Sequence, residues 1–133
     1  MTTHALSALV ISNWQESAVE SPEGGAALAQ ATADAVFTGA LDGGGRSTLL
    51  LVYPPEGVAS FAGTQTFAGT LNGRSGTFVL QLTGTFENNT ASVTWSVMPD
   101  SATGDLRGLR GRGGYKSSAD APAAEAILDY ELS

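Results

Sequence analysis

Gln65 is the residue whose type and position most directly suggest chemistry. It shares one face of the alternating segment 58–70 with Phe61 and Phe67, which predicts that its amide points into the core. A buried amide without a hydrogen-bond partner costs about 1–3 kcal/mol. A carbonyl or hydroxyl group of a bound ligand would satisfy it, and so would a core partner or a bound water.

Aromatic side chains are the second set of candidates, because they supply apolar area and Tyr or Trp adds one polar group that orients a ligand. Tyr53 ends one segment and Phe61 begins the next, so we expect both near one end of the molecule. Gln65, Tyr53 and Tyr130 are the candidates for polarising a substrate oxygen. The predicted ligand-lining residues are Trp14, Tyr53, Phe61, Gln65, Phe78, Leu80, Leu82, Trp95, Tyr115 and Tyr130. The alternative for each is ordinary core packing.

The ionisable residues form no recognisable catalytic constellation. Asp34 and Glu56 would need partners to act as general bases, and His4 lies beside the N-terminus, so all three are interpreted as solvated groups. The basic cluster is Arg107, Arg110, Arg112 and Lys116. Arginine matches carboxylate or phosphate geometry, but this run alternates with glycine in a strand-and-turn pattern, which favours solvated charges.

The composition excludes several classes of function. The net charge of -7 with only six Lys and Arg argues against a nucleic-acid partner and against anionic membrane surfaces. There is no cysteine, so disulfides and Cys-based zinc sites are absent, and no metal or other cofactor is expected. No segment is long and apolar enough to span a membrane as a helix, and no signal-peptide pattern is present, which predicts a cytoplasmic protein.

A repeated phrase indicates the fold. Residues 37–43 (FTGALDG) and 67–73 (FAGTLNG) match closely, and 82–88 (LTGTFEN) is a looser copy. Each copy lies where one alternating apolar segment ends and another begins, which is typical of strand, tight turn, strand. Alternation predicts strands at residues 5–14, 27–38, 48–53, 58–70, 76–86, 91–98, 110–117 and 124–132.

The connections follow from turn residues. Loops are predicted at 15–26, at Gly43–Gly45 and at 54–57, with tight turns at Asn72–Gly73 and at 87–89. Residues 99–109 form the longest connection at the opposite end, with one helical turn at 104–107.

Segment 27–38 is the ambiguous strand. Alanines at 29, 31, 33 and 35 favour helix by propensity, but they alternate strictly with Gln30, Thr32, Asp34 and Val36. Period two is the strand signature, so a strand is predicted. If the alanines point inward, they leave space inside the barrel. If they point outward, Gln30, Thr32 and Asp34 line the interior with polar groups. The pattern is compatible with both orientations.

Eight strands joined by short turns predict an all-β fold, an eight-stranded antiparallel up-and-down barrel comprising the single domain 1–133. Pairing of the first strand with the last removes exposed edges. A barrel of this size can hold one small ligand.

Residues 57–63, 69–81, 84–86, 103–111 and 128–130 together resemble a small bacterial family of unknown function, domain of unknown function 3224. Its members are similar in fold to allene oxide cyclase barrels. The resemblance implies a calycin-like barrel and a superfamily that includes cyclases and isomerases. Relatives often carry His where this chain has Leu82 and Glu where it has Gln65, so acid–base chemistry by those two groups would be lost here.

Three hypotheses follow for the function. The first is a cofactor-free isomerase or cyclase that folds a small apolar metabolite, with Gln65 and a tyrosine hydroxyl polarising one oxygen. The second is a carrier or sensor that binds a small apolar molecule without chemistry. The third is a structural subunit, such as a homodimer, that associates through apolar strands around residues 9–11 and 49–52.

Overall fold

The computed structural model describes residues 2–20, 23, 25–54, 58–118 and 123–132. Eight antiparallel strands form a closed barrel in which each strand pairs with its sequence neighbours and the first pairs with the last. The strands are β1 (Thr3–Val19), β2 (Ala27–Gly39), β3 (Leu41–Tyr53), β4 (Ala59–Leu71), β5 (Arg74–Glu87), β6 (Thr90–Val97), β7 (Arg110–Ser118) and β8 (Ala124–Glu131). The predicted barrel is therefore confirmed. The candidate base Glu56 and most of the predicted turn at 54–57 lie outside the described residues.

Strand β2 resolves the question that its pattern leaves open. Ala29, Ala31, Ala33 and Ala35 are all buried, so the alanine face points into the barrel. Gln30 on the opposite face is exposed. Alanine takes little room inside, which leaves space for larger side chains from the facing strands.

Strand β3 is longer than predicted, and the predicted turn at Gly43–Gly45 is wrong. The three glycines lie within the strand, opposite residues 35–37 of β2, and the chain turns before them at Gly39 and Ala40. The reason is a close approach of β3 to β4: a Cβ atom at Gly45 would overlap the carbonyl oxygen of Thr66. Glycine permits this approach, which bends the sheet toward closure.

Strand β1 also extends beyond its predicted end, so the predicted loop at 15–26 is wrong up to Val19. Its pairing with β2 shifts between Ser12 and Gln15, and Asn13 adopts a left-handed conformation with φ 54°. Two residues there oppose one on β2, which defines a β-bulge. Before the bulge, Ala5, Ser7 and Leu9 point into the barrel. After the bulge, the even-numbered residues of β1 are on the inner face, beginning with Glu16, which lies opposite Ala31.

The tight turns agree with their sequence signals. Asn72 and Gly73 both have positive φ values, 48° and 86°, as a type I′ hairpin turn requires. Asn88 and Asn89 form the β5–β6 turn with φ values of 53° and 62°.

The connection between β6 and β7 closes one end of the barrel. It contains one 3₁₀ turn, Gly104–Leu106, as predicted, and is fastened to β5 by the pairs Ser101–Val79 and Thr103–Thr77. Leu106 and Leu109 are buried there, together with Leu41 and Leu71 at neighbouring strand ends. This end is called the capped end below.

Aromatic rings fill the middle of the barrel. Phe37 meets Phe67 edge-on at 5.5 Å between ring centroids, and Phe67 lies 4.9 Å from Phe78. Trp95 lies 6.1 Å from Phe37, and its Nε1 donates a 3.1 Å hydrogen bond to the carbonyl oxygen of Ile127. These contacts make the centre a packed core.

Candidate functional site

The two ends of the barrel differ in the solvent exposure of their inward-facing side chains. At the capped end these side chains are buried, whereas at the other end several remain in contact with solvent. We call this other end the aromatic end. It is formed by Glu16, Tyr53, Phe61, Phe86 and Tyr115.

Strand register places these five side chains on the inner face, because residues directly opposite in an antiparallel pair share a face. Phe61 lies opposite Leu51, and Tyr115 lies opposite Val93 and Ala126, all of which are buried. Phe86 continues the inward series Phe78, Leu80 and Leu82 of β5, yet it is 45% exposed. Tyr53 continues the series Leu49 and Leu51 of β3 and is 38% exposed.

Glu16 is the polar centre of the aromatic end. Its Oε2 accepts a 2.8 Å hydrogen bond from the hydroxyl of Tyr53, and its Oε1 accepts a 3.0 Å bond from Trp14 Nε1. Burial, followed by the hydrogen bond and the negative charge of Glu16, raises the pKa of Tyr53 to about 12. Tyr53 therefore keeps its proton at neutral pH and acts as a donor.

Tyr115 supplies the second hydroxyl at this end. Its ring lies 5.1 Å from that of Trp95, and burial raises its pKa to about 12. Within the part of the chain that the structure describes, its hydroxyl makes no hydrogen bond to protein. A ligand could therefore bond to it without displacing a protein group.

Gln65 points inward as predicted and is buried, but its amide has protein partners. Its Oε1 accepts a hydrogen bond from the Ser47 hydroxyl, and its Nε2 donates a 2.7 Å bond to the carbonyl oxygen of Thr66. The alternative of a partner within the core is thus what the structure contains. Gln65 does not need a ligand to satisfy it.

The other predicted lining residues fall into two groups. Phe78, Leu80, Leu82 and Trp95 are buried in the central core. Tyr130 lies at the capped end, where its hydroxyl accepts a 2.6 Å hydrogen bond from Asn72 Nδ2. The structure therefore does not bring Tyr130 together with Tyr53.

His4, Asp34 and three members of the basic cluster lie on the outer surface. His4 Nδ1 lies 2.5 Å from Asp129 Oδ1, and Asp34 accepts a 2.7 Å hydrogen bond from Asn13. Arg110, Arg112 and Lys116 face outward on β7, each directly opposite an acidic residue of β8. This arrangement fits solvated charges on a sheet surface.

The outer face of β5–β8 carries a groove of about 850 Å³. Gly114 lies in it between Thr94 and Ile127 of the neighbouring strands, so a missing side chain creates the depression. Its other lining residues include Thr and Ser residues, the charged residues Lys116, Glu125 and Asp129, and Tyr115, which also belongs to the aromatic end. Tyr115 is the one aromatic residue among the described residues that line the groove, whereas the aromatic end has Tyr53, Phe61 and Phe86 as well.

Sequence reasoning identified Tyr53, Phe61 and Tyr115 but missed Glu16 and Phe86. The Pro and Gly residues of 15–26 predict a loop that includes Glu16, whereas β1 continues past its bulge to Val19. The alternation of β5 does carry a signal for Phe86, which continues the series of Phe78, Leu80 and Leu82.

Comparisons with known proteins agree with the fold. None of the helices in the described residues is long and apolar enough to cross a membrane. No curated protein matches the chain. A solved structure from Shewanella oneidensis MR-1, a protein with unknown function from the DUF3224 family, matches with a TM-score of 0.79 and 22% identity, covering 100% of this chain and 98% of that one. The allene oxide cyclase likeness remains an expectation. Because the family model for the protein of unknown function DUF3224 matches residues 6–130, this chain belongs to that family.

Proposed function

We propose that this protein binds a small, largely apolar molecule at the aromatic end of the barrel. The observation that carries the proposal is that, among the described residues, inward-facing aromatic side chains are exposed at this end of the barrel and buried elsewhere. Phe86 and Tyr53 are 45% and 38% exposed, whereas Leu41, Leu71 and Leu106 at the capped end are at most 1% exposed. Apolar surface gains about 25 cal/mol per Å² when it leaves water, so a ligand that covers these rings is stabilised.

Polar groups at the same end would orient such a ligand. The Tyr115 hydroxyl has no protein hydrogen bond among the described residues, and the Glu16 carboxylate keeps free acceptor sites beside its bonds to Tyr53 and Trp14. A few convergent polar groups on apolar walls are typical of small-molecule sites. A carrier or sensor needs no more than this.

The first experiment is native mass spectrometry of freshly purified protein, looking for copurified small molecules. The second is fluorescence titration with the neutral dye Nile red. We expect Phe86→Ala to weaken dye binding about tenfold, since it removes an apolar ring from the site. Val36→Ala is the matched control, because Val36 is 54% exposed but lies on the outer face of β2. Equal loss in both variants, or no dye binding by the wild type, would contradict the proposal.

An isomerase or cyclase is the second candidate, and the Glu16–Tyr53 pair favours it. Glu16 could accept a proton from a carbon next to a carbonyl and return it to another carbon. Because the one hydroxyl proton of Tyr53 is donated to Glu16, the donor to the carbonyl oxygen would be the hydroxyl of Tyr115. Substrate-dependent exchange of carbon-bound hydrogen in deuterated water would distinguish this from a carrier. Retained exchange in Glu16→Gln would exclude Glu16 as the base.

A homodimer is proposed for the outer face of β8, β1 and β2. Four apolar side chains are exposed there in two directly opposite pairs, Leu6 with Ile127 and Val10 with Val36. Leu9, Leu49 and Leu51 of the predicted interface point inward instead and are buried. Light scattering across a concentration series tests the proposal, with Val10→Ser expected to favour the monomer.

A further inference from the structure

We infer that the ligand of the aromatic end carries a positive charge, as an apolar ammonium or a related organic cation does. This inference rests on the proposed binding function and adds the chemical class of the ligand. It begins from the Glu16 carboxylate. No Lys, Arg or His in the described part of the chain forms an ion pair with it.

The two groups that hold Glu16 are both neutral. Tyr53 donates to one carboxylate oxygen and Trp14 to the other, so the carboxylate is fixed in position but its charge is not balanced. Each carboxylate oxygen can accept a further hydrogen bond. Glu16 is exposed, so its carboxylate is solvated in the free protein; it would attract a cation at this point and repel an anion.

The aromatic rings favour the same class of ligand. The faces of Tyr and Phe rings carry negative charge density and attract cations within about 6 Å, especially organic ammonium groups, which lose water easily. Tyr53, Phe61, Phe86 and Tyr115 all present rings from the inner face at this end. A neutral apolar ligand would use the rings and at most donate a hydrogen bond to Glu16, without gaining from its negative charge.

The charge distribution along the barrel supports steering of cations toward the aromatic end. Glu20 and Glu23 follow the end of β1, and Glu87 ends β5, so these carboxyl groups accompany Glu16 at the aromatic end. At the capped end, Arg74 and Arg110 are accompanied by Asp42, Asp105 and Glu131, so both signs of charge are present there. Lys116 is on the outer face of β7, directly opposite Glu125. The carboxylates at the aromatic end therefore raise the local concentration of a cationic ligand there.

A metal ion does not fit this position. Among the residues that the structure describes, no group of three His, Cys, Asp or Glu side chains could hold one. A single carboxylate with neutral donors and aromatic rings suits a large, weakly hydrated cation instead.

The test compares two probes of equal shape, benzyltrimethylammonium and its neutral analogue neopentylbenzene, as competitors of bound Nile red. At low salt we expect the cation to bind the wild type about tenfold more tightly than the neutral probe, and less so as salt is added. Glu16→Gln should bring the two affinities within about twofold, because the amide keeps the shape but loses the charge. Glu125→Gln, which removes an exposed carboxylate of the outer face, should leave the preference unchanged.

The outcomes separate this inference from the proposed function. If both probes bind the wild type equally, and Phe86→Ala weakens both, the site exists but its charge preference does not, and the inference is overturned. If neither probe nor the dye binds, both proposals fail. Equal loss of the preference in Glu16→Gln and Glu125→Gln would show general charge attraction rather than a site, which also overturns the inference. Circular dichroism of each variant confirms that it is folded.

Discussion

The hydroxyl of Tyr53 on β3 donates a 2.8 Å hydrogen bond to the carboxylate of Glu16 on β1, across the intervening strand β2. This contact depends on the bulge at Asn13, after which Glu16 lies opposite the buried Ala31. Bulges re-aim side chains and are frequent near functional sites. The bulge in β1 therefore positions Glu16, the polar centre of the aromatic end.

Alkaline titration should reveal the environment of two tyrosines. Tyr53 and Tyr115 each have a pKa raised from 10.0 to about 12, chiefly by burial. The folded state therefore holds these protons more tightly than the unfolded chain. Their contribution to stability is fully present below pH 10 and is lost as the pH rises toward about 12. Ultraviolet absorbance titration and urea unfolding at several pH values measure the two effects.

Variants of Glu16 and Tyr115 show which tyrosine is responsible for each step of the alkaline titration. In Glu16→Gln the pKa of Tyr53 should fall below that of the wild type yet stay above its ordinary value, because burial, the largest cause, remains. Tyr115→Phe should reduce the alkaline loss of stability without moving Tyr53. An unchanged Tyr53 titration in Glu16→Gln would mean that the hydrogen bond is absent in solution.

Asn13 should tolerate glycine better than any residue with a Cβ branch. Its φ of 54° is in the left-handed region, which glycine and asparagine adopt readily. We expect Asn13→Gly to be nearly neutral and Asn13→Val to lower the free energy of unfolding by about 1–2 kcal/mol. Thermal unfolding measures both. Equal stability of the two variants would argue against the bulge.

The sequence predicts the barrel well because alternation and turn chemistry are local signals. The assignment of β2 as a strand and the Asn72–Gly73 turn are examples, and an even number of meandering strands implies closure. Which face of β2 points inward is decided only by the structure. The turn predicted at Gly43–Gly45 is wrong because the local pattern does not show that β4 passes close to these glycines. Three consecutive glycines are typical of a turn, and only the register of β3 against β4 places them inside a strand.

The site was predicted less completely for a similar reason. A single left-handed residue at Asn13 reverses the inward face of β1, and nothing in the neighbouring residues marks it. Gln65 was correctly placed inside, but its partner Ser47 is on another strand and becomes visible only through the pairing of β3 with β4. Long-range register decides which polar groups are satisfied.

Ser47 and Gln65 should behave as a coupled core pair. Both are buried, and Ser47→Ala removes the donor to the Gln65 oxygen, which should cost about 1–3 kcal/mol of unfolding free energy. The double variant Ser47→Ala with Gln65→Leu should be more stable than the sum of the single effects predicts, by at least about 0.5 kcal/mol. Urea unfolding of the four proteins measures this coupling. If the two changes in unfolding free energy are strictly additive and Gln65→Leu binds Nile red more weakly, Gln65 is part of the ligand site instead.

Tyr130 tests whether the two ends of the barrel are functionally separate. Its hydroxyl bonds to Asn72, so Tyr130→Phe should lower the free energy of unfolding by about 1 kcal/mol. Asn72→Gly removes the same bond while keeping a residue that accepts positive φ, and the two changes together should cost little more than either alone. Neither should alter Nile red binding, because Tyr130 lies at the capped end. If Tyr130→Phe weakens the dye as strongly as Phe86→Ala does, the ligand must reach through the packed aromatic core, and the division of the barrel into a closed end and a binding end would be wrong.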